Sequence, residues 1–151
     1  MIEGKLARGR RPGVEAKRGN QVPRSVVDAW IKKAKAQGIR TVICILDERQ
    51  LKFYEGLRVG LVAYVRSKGL KVIHINAPNM RRPPLSEEHV AQAVWAYQSS
   101  PKPVLVHCSA GIGRTGVAVK YIKWLSTPTK SKLPPNEARA VPSPGTRVRK
   151  S

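Results

Sequence analysis

A cysteine stands directly before a glycine-rich loop that closes on an arginine, and residues 107–115 read His-Cys-Ser-Ala-Gly-Ile-Gly-Arg-Thr. The backbone N–H groups of such a loop, with the N-terminus of a following helix, form a site for phosphate or sulfate. The positive field of that site favours the thiolate of Cys108, which is the nucleophilic form of the side chain. The planar guanidinium of Arg114 can bind two phosphate oxygens. The pattern therefore predicts attack by sulfur on a phosphate ester.

The segments on either side of the loop predict an α/β fold. The apolar run 103–106 predicts a buried strand, and residues 115–125 predict a helix. Upstream, apolar and β-branched runs predict strands over 39–46 and 70–76, and helical spacing predicts helices over 25–38, 52–68 and 86–99. Because strands alternate with helices, we expect one domain with a mostly parallel central sheet flanked by helices.

Side chains able to do chemistry cluster at one end of the predicted sheet. His107 and Cys108 end the last strand, Asp47 follows the first, and residues 76–79 follow the second. Ligand sites of parallel sheets lie beyond the carboxyl ends of the strands. We therefore expect these residues to converge around the cysteine.

Three other interpretations of the loop fit it less well. Residues 111–116 match the GxGxxG pattern of dinucleotide-binding folds, but no second βαβ half follows. The loop also lacks the Gly-Lys-Ser/Thr ending of a nucleotide-binding P-loop. Alternatively, Cys108 is an inert buried thiol beside a tight turn. The joint spacing of His107, Cys108, the glycines and Arg114 argues against this, because such a combination rarely arises by chance.

Residues 107–116 resemble the signature loop of the cysteine-dependent protein tyrosine phosphatases, and the small chain resembles their compact dual-specificity branch. The resemblance implies a protein tyrosine phosphatase-like fold over about residues 25–125. It implies that Cys108 is the nucleophile of a phosphocysteine intermediate, that Thr115 hydrogen-bonds the sulfur and that His107 fixes the loop. The groups implied to hold the phosphoryl oxygens are the Arg114 side chain and the backbone N–H groups of Ser109, Ala110, Gly111, Ile112, Gly113 and Arg114. The resemblance implies no metal or cofactor.

The chain departs from the family pattern at one position. The family uses a general acid, usually an aspartate in a loop before the third helix, and here that position holds Asn79. A general acid typically contributes about 10²–10⁴-fold to the rate. Three explanations are consistent with the change. Asp47 or Glu48 supplies the proton, the substrate has a leaving group that needs none, or turnover is slow and the protein chiefly binds phosphorylated partners.

These features predict a protein tyrosine or dual-specificity phosphatase that acts on phosphorylated protein. The alternatives are a phosphatase that removes the 5′ phosphate of triphosphate-ended RNA and a weakly active phosphate-binding scaffold. With 29 Lys and Arg against 9 Asp and Glu, the net charge is +20. Such a field attracts any polyanion, including RNA, and does not choose among them. Solvated basic ends without a dedicated partner explain the charge equally well.

Composition divides the chain into a basic flexible arm over 1–21, a phosphatase-like domain over 22–126 and a Pro-rich basic disordered tail over 127–151. The two cysteines, Cys44 and Cys108, give no disulfide framework, so we expect a reducing compartment and a cytoplasmic location. No apolar run is long enough for a membrane span or a signal peptide. No cluster of His and Cys suits a metal. We expect a monomer that needs no cofactor.

Overall fold

A parallel sheet of four strands positions the loop. The computed structural model describes residues 4–14, 21–79 and 82–126. The strands are β1 (Leu6–Arg10), β2 (Thr41–Ile45), β3 (Lys71–Ile75) and β4 (Val104–Cys108), and they lie in the order β1-β4-β2-β3. Each pairing of neighbouring strands is parallel. The inner strand β2 is rich in β-branched residues and buried along its whole length, which suits a strand covered on both faces.

Helices cover both faces of this sheet. They are α1 (Arg24–Ala36), α2 (Glu48–Leu51), α3 (Leu61–Ser67), α4 (Glu87–Gln98) and α5 (Gly113–Ser126), with a 3₁₀ helix over Lys52–Leu57 between α2 and α3. Side chains of α4 and α5 share one buried cluster with the sheet, and side chains of α1, α3 and the 3₁₀ helix share another. In the described parts of the chain, no helix is long and apolar enough to cross a membrane. The predicted α/β fold, with a parallel sheet between helices, is confirmed.

Strand β1 corrects the predicted arm over 1–21. Residues 6–10 pair with β4, so the prediction of a flexible arm is wrong for this segment. Leu6 is buried, whereas Arg8 and Arg10 are exposed. The strand therefore carries little apolar signal, because an edge strand can present charged side chains to solvent. Residues 1–3 and 15–20 of the predicted arm, and the whole predicted tail over 127–151, lie outside the described residues.

The helix predicted over 52–68 is wrong as a single element. It is divided into the 3₁₀ helix and α3. Gly60, which immediately precedes α3, has a φ of +87°, a left-handed conformation that interrupts the helical path. The apolar spacing continues across the break because both pieces pack into the same cluster, with Tyr54 and Leu57 from one and Leu61 and Val65 from the other.

Candidate active site

The loop between β4 and α5 forms the floor of a cavity. β4 brings Cys108 to the carboxyl edge of the sheet, and α5 begins at Gly113, so the positive end of the helix dipole adjoins the loop. Gly111 turns the chain with a φ of +79°, which glycine adopts at little cost. The cavity has a volume of about 470 Å³ and is lined by Asn79, Arg82, Pro84, Cys108, Ser109, Ala110, Gly113 and Arg114. A thiol therefore lies within a loop whose geometry suits an anion.

The pKa of the Cys108 thiol is lowered although the residue is only 3% exposed. Burial by itself raises this pKa. The Thr115 hydroxyl, the backbone N–H groups of Thr115 and Gly111, and the charge of Arg114 act in the opposite direction and together outweigh burial. The Thr115 hydroxyl is buried and has no other hydrogen-bond partner among the described residues. The net effect favours the thiolate, the nucleophilic form of the side chain.

Arg114 is oriented by three neutral acceptors. Its Nη1 donates to Oε1 of Gln50 and to the carbonyl oxygen of Ala77, each at 2.9 Å. Its Nη2 donates to Oδ1 of Asn79 at 3.2 Å. The side chain is 4% exposed, so these bonds hold the guanidinium in one orientation. Because amide oxygens carry no net charge, they fix the guanidinium plane without neutralising it.

Asp47 is not among the residues that line the cavity, but it hydrogen-bonds two residues that contact Arg114, namely Gln50 and Asn79. Its Oδ1 accepts the backbone N–H of Gln50 at 2.9 Å, and its Oδ2 accepts the backbone N–H of Asn79 at 3.0 Å. Oε1 of Gln50 accepts the N–H of Asp47 at 3.2 Å, which completes a capping box at the start of α2. Both carboxylate oxygens of this acid candidate are thus engaged by backbone donors. The other candidate, Glu48, is exposed on α2.

His107 supports the loop as a neutral ring. Burial lowers its pKa to about 4, so the imidazole is uncharged near neutral pH. Its Nδ1 lies 3.2 Å from the carbonyl oxygen of Cys108. Because a carbonyl oxygen only accepts, Nδ1 carries the ring proton. The ring packs edge-on against Trp30, with the two centroids 5.3 Å apart. His107 therefore fixes the Cys108 peptide and adds no positive charge beside the thiol.

The predicted phosphate-binding residues lie along the loop. Ser109, Ala110 and Gly113 line the cavity, whereas the side chain of Ile112 is 73% exposed. Ile112 is not among the residues that line the cavity. Within the described ranges, no group of three or more His, Cys, Asp or Glu residues could hold a metal ion.

The structure brings the carboxyl ends of three parallel strands together at the site. It also places at the site several residues that the sequence analysis did not identify. Gln50 is one of them, and the Asp-x-x-Gln spacing of a capping box could have identified it. The others lie in the N-terminal segment. Nη2 of Arg8 donates to the carbonyl oxygen of Gly111 at 2.8 Å, and Nε of Arg11 donates to Oγ of Ser109 at 3.2 Å. No local pattern indicates these contacts, because they depend on the pairing of β1 with β4.

Two solved structures share this fold at low sequence identity. Tk-PTP in its active form has a TM-score of 0.56 and is 21% identical, over 83% of this chain and 72% of its own. A candidate phosphatase (DUF442) from Shewanella putrefaciens CN-32 has a TM-score of 0.55 and is 17% identical, over 91% of this chain and 89% of its own. At these identities the likeness concerns the fold alone.

A protein-family model covers most of the chain. Residues 8–141 match the family described as DSP-PTPase phosphatase fused to NAD+ kinase. The match begins within β1 and includes the whole loop from Cys108 to Arg114. The chain therefore belongs to this family and is a phosphatase of the cysteine-dependent, dual-specificity-like protein tyrosine phosphatase type.

Proposed function

We propose that the chain hydrolyses phosphomonoesters with Cys108 as the nucleophile and a phosphocysteine intermediate. The observation that carries this proposal is a thiol of lowered pKa in the lining of the cavity, beside Arg114. A thiolate, a fixed guanidinium and a loop of backbone N–H groups supply the nucleophile and the electrostatic stabilisation that phosphoryl transfer requires.

In the first step the Cys108 thiolate attacks phosphorus. A sulfur–phosphorus bond forms, and the bond between phosphorus and the leaving oxygen breaks. Negative charge on the transferring oxygens is met by the Arg114 guanidinium and by N–H groups of residues 109–114. The guanidinium is already held by Gln50, Ala77 and Asn79, so little reorganisation is needed when the charge develops.

In the second step water attacks phosphorus, the sulfur–phosphorus bond breaks and inorganic phosphate leaves. The departing group is the Cys108 thiolate. It is stabilised by the contacts that lower the pKa of the free thiol, chiefly the hydroxyl of Thr115. We therefore assign Thr115 to stabilisation of the leaving sulfur and His107 to support of the loop.

The substrate class depends on whether the leaving oxygen can depart without a proton. Among the described residues that line the cavity there is no carboxylate, and the amide of Asn79 does not donate a proton in this way. Because both oxygens of Asp47 accept backbone N–H groups, we assign Asp47 to positioning Gln50 and Asn79 instead of proton donation. The leaving oxygen then departs as an anion. This favours a phenol such as tyrosine, with a pKa of about 10, over the aliphatic hydroxyl of serine or threonine.

We therefore propose phosphotyrosine in protein as the substrate, with slower turnover of phosphoserine and phosphothreonine. Arg82 lines the cavity with an exposed side chain and offers a cation to acidic residues near the phosphotyrosine. The proposed enzyme acts as a monomer and without metal. We place it in a reducing compartment such as the cytoplasm, which keeps Cys108 as a thiol.

A second candidate is hydrolysis of the 5′-triphosphate end of RNA. The lack of a carboxylate in the described lining favours it, because a leaving phosphate group with a pKa of about 6 needs no general acid. The net charge of +20 also favours a polyanionic substrate. A phosphate-binding scaffold, the third alternative, would bind both substrates and hydrolyse neither.

Hydrolysis of p-nitrophenyl phosphate tests the proposal. Cys108→Ser should lower kcat by about 10³-fold or more, because the nucleophile is removed. Cys44→Ser is the matched control, since Cys44 is also a free buried cysteine but burial raises its pKa to about 12. It should retain activity. Equal rates for the wild type and Cys108→Ser would refute the proposal. A reaction quenched with denaturant at alkaline pH, where a sulfur–phosphorus bond is stable, should yield phosphate attached to the peptide that contains Cys108.

A direct comparison of substrates separates the alternatives. The values of kcat/KM are measured for a phosphotyrosine peptide, the matching phosphoserine peptide and a triphosphate-ended RNA. We expect the phosphotyrosine peptide to exceed the phosphoserine peptide. A larger value for the RNA would replace the protein substrate, and tight binding of all three without turnover would support the scaffold.

A further inference from the structure

We infer that Arg8 and Arg11 are positioning residues of the phosphate-binding loop. The inference rests on the proposed function, because it assumes that the loop binds phosphate. Neither arginine contacts the reacting atoms. Each acts through the loop residue that it holds.

The backbone of the loop packs against residues 9–11 at the end of β1. The N–H of Arg11, one residue past the end of β1, donates to the carbonyl oxygen of Ser109 at 3.1 Å. Gly111 approaches β1 so closely that a Cβ at this position would lie 2.5 Å from the carbonyl oxygen of Gly9. Pairing between β1 and β4 thus continues past the strands into the loop.

Three backbone carbonyl groups of the loop accept hydrogen bonds. The carbonyl of Cys108 accepts from Nδ1 of His107 at 3.2 Å, and the carbonyl of Ser109 accepts from the N–H of Arg11 at 3.1 Å. The carbonyl of Gly111 accepts from Nη2 of Arg8 at 2.8 Å. In a trans peptide, a carbonyl and the N–H of the next residue point in opposite directions. Each carbonyl that is held by a donor therefore points the N–H of the next residue away from that donor. The N–H groups set in this way belong to Ser109, Ala110 and Ile112, and the last two depend on the two arginines.

Arg11 also carries a positive charge that no carboxylate among its described contacts neutralises. Its side chain is 8% exposed. It donates to Oγ of Ser109 at 3.2 Å and to the hydroxyl of Tyr54 at 3.1 Å, and it lies 4.9 Å from the centre of the Phe53 ring. Burial raises the pKa of Tyr54 to about 12, so this phenol is neutral too.

A buried cation without a counter-charge is costly to maintain. A phosphate bound in the loop would bring negative charge to the side of Ser109, whose hydroxyl accepts from Arg11 and keeps its own hydrogen for another acceptor. Arg11 thus places a second positive charge behind the loop and acts on the anion through Ser109.

Calorimetric titration of the Cys108→Ser chain with inorganic phosphate tests this inference without turnover. In that background, Arg11→Met and Arg8→Met should each weaken phosphate binding about tenfold, the effect typical of one charge-assisted hydrogen bond. Arg11→Lys should retain part of the affinity, because the charge remains and the planar guanidinium is lost. Arg10→Met is the matched control, since Arg10 lies between the two residues and its exposed side chain takes no part in these contacts.

Affinities for Arg11→Met and Arg8→Met equal to that of the Arg10→Met control, with unchanged thermal transitions, would overturn the inference. If the Arg11→Met chain does not fold, Arg8→Met decides, because Arg8 is exposed and its replacement leaves the core intact. Phosphate binding that depends on both arginines, in a wild-type chain that does not hydrolyse aryl phosphates, would refute the proposed function and retain the inference. Absence of phosphate binding by the Cys108→Ser chain itself would overturn the inference, and hydrolysis of p-nitrophenyl phosphate by the wild type would decide the proposed function separately.

Discussion

Asn79→Asp places a carboxyl group where the family resemblance expects the general acid, and its effect should depend on the leaving group. Oδ1 of Asn79 accepts from Nη2 of Arg114 at 3.2 Å, and its N–H donates to Oδ2 of Asp47 at 3.0 Å. The substitution preserves the shape of the side chain. It replaces a neutral acceptor by an ionisable group that lies close to one cation and one anion.

The protonation of this new carboxyl should change when substrate binds. In the empty site, attraction to the Arg114 guanidinium across 3.2 Å corresponds to about 5 kcal/mol at an effective dielectric constant of about 20, so the carboxylate stays ionised. A bound phosphate dianion shares the positive charge of the guanidinium and adds negative charge beside the carboxylate. Both changes raise the pKa of the carboxyl. The group therefore gains its proton in the complex, where the leaving oxygen needs one.

The expected gain in kcat is about 10²–10⁴-fold for a phosphoserine peptide and small for p-nitrophenyl phosphate, because nitrophenolate leaves readily as an anion. KM should rise for every substrate, since the new carboxylate cancels part of the Arg114 charge and repels the phosphate. With the phosphoserine peptide, activity should fall as pH rises through the raised pKa, because the protonated form is required. The wild type should lack this decline.

Steady-state kinetics with a phosphoserine peptide, phenyl phosphate and p-nitrophenyl phosphate measure these effects across the acid and neutral pH range. Asn79→Ala is the control, because it removes the contact with Arg114 without adding a carboxyl. It should weaken binding and gain no rate. No gain in kcat from Asn79→Asp, or an equal gain for all three leaving groups, would refute the reasoning that the wild-type site lacks an acid.

The remaining predictions concern the loop and the thiol. Gly111→Ala should abolish phosphate binding, because the added Cβ would lie 2.5 Å from the carbonyl oxygen of Gly9 at a φ of +79°; wild-type affinity in calorimetry would contradict this. The rate of alkylation of Cys108 by iodoacetamide should rise with pH and level off below the ordinary thiol value of about 8.5, because its pKa is lowered. That profile should show no inflection near 6.5, since the pKa of His107 is about 4; a midpoint at 8.5 or above would count against the assigned environment. Thr115→Val should slow breakdown of the phosphocysteine about tenfold and produce a burst of nitrophenol in rapid mixing. An unchanged steady state without a burst would remove Thr115 from the second step.

Local patterns could predict three strands of the sheet and the reactive loop because these depend mainly on neighbours along the chain. Cys108 and Arg114 belong to one strand–loop–helix segment, and its glycines allow the turn that the loop needs. The parallel arrangement follows from the alternation of strands and helices. The same rule places Asp47 and Asn79 at the edge of the sheet that carries the cysteine, and the structure joins them by a hydrogen bond of 3.0 Å.

Contacts between distant segments could not be predicted in this way. Arg114 takes its acceptors from Gln50, which follows β2, and from Ala77 and Asn79, which follow β3. The orientation of Asp47 depends on a capping box that turns its carboxylate toward backbone donors. β1 carries one buried large apolar residue among arginines and glycine, so only its pairing with β4 distinguishes it from a basic arm.

The charges around the loop favour binding of an anion over donation of a proton. Arg11 and Arg114 are both buried. The hydrogen bonds of Arg11, and those of Arg114 to Gln50, Ala77 and Asn79, go to neutral acceptors, while Asp47 and the Cys108 sulfur supply negative charge near Arg114. An aspartate at position 79 would pair with Arg114 and cancel part of its charge, whereas Asn79 leaves that charge for the phosphate. The proposed enzyme thus lacks a general acid, which lowers its rate by about 10²–10⁴-fold. In return, the positive charge of Arg114 remains available to the phosphate. This exchange is favourable only when the leaving group is a weak base. A phenol or a phosphate chain meets this condition, and an aliphatic alcohol does not. The turnover of aryl phosphates or phosphoanhydrides, relative to that of alkyl phosphates, should therefore report most directly on the chemistry of this site.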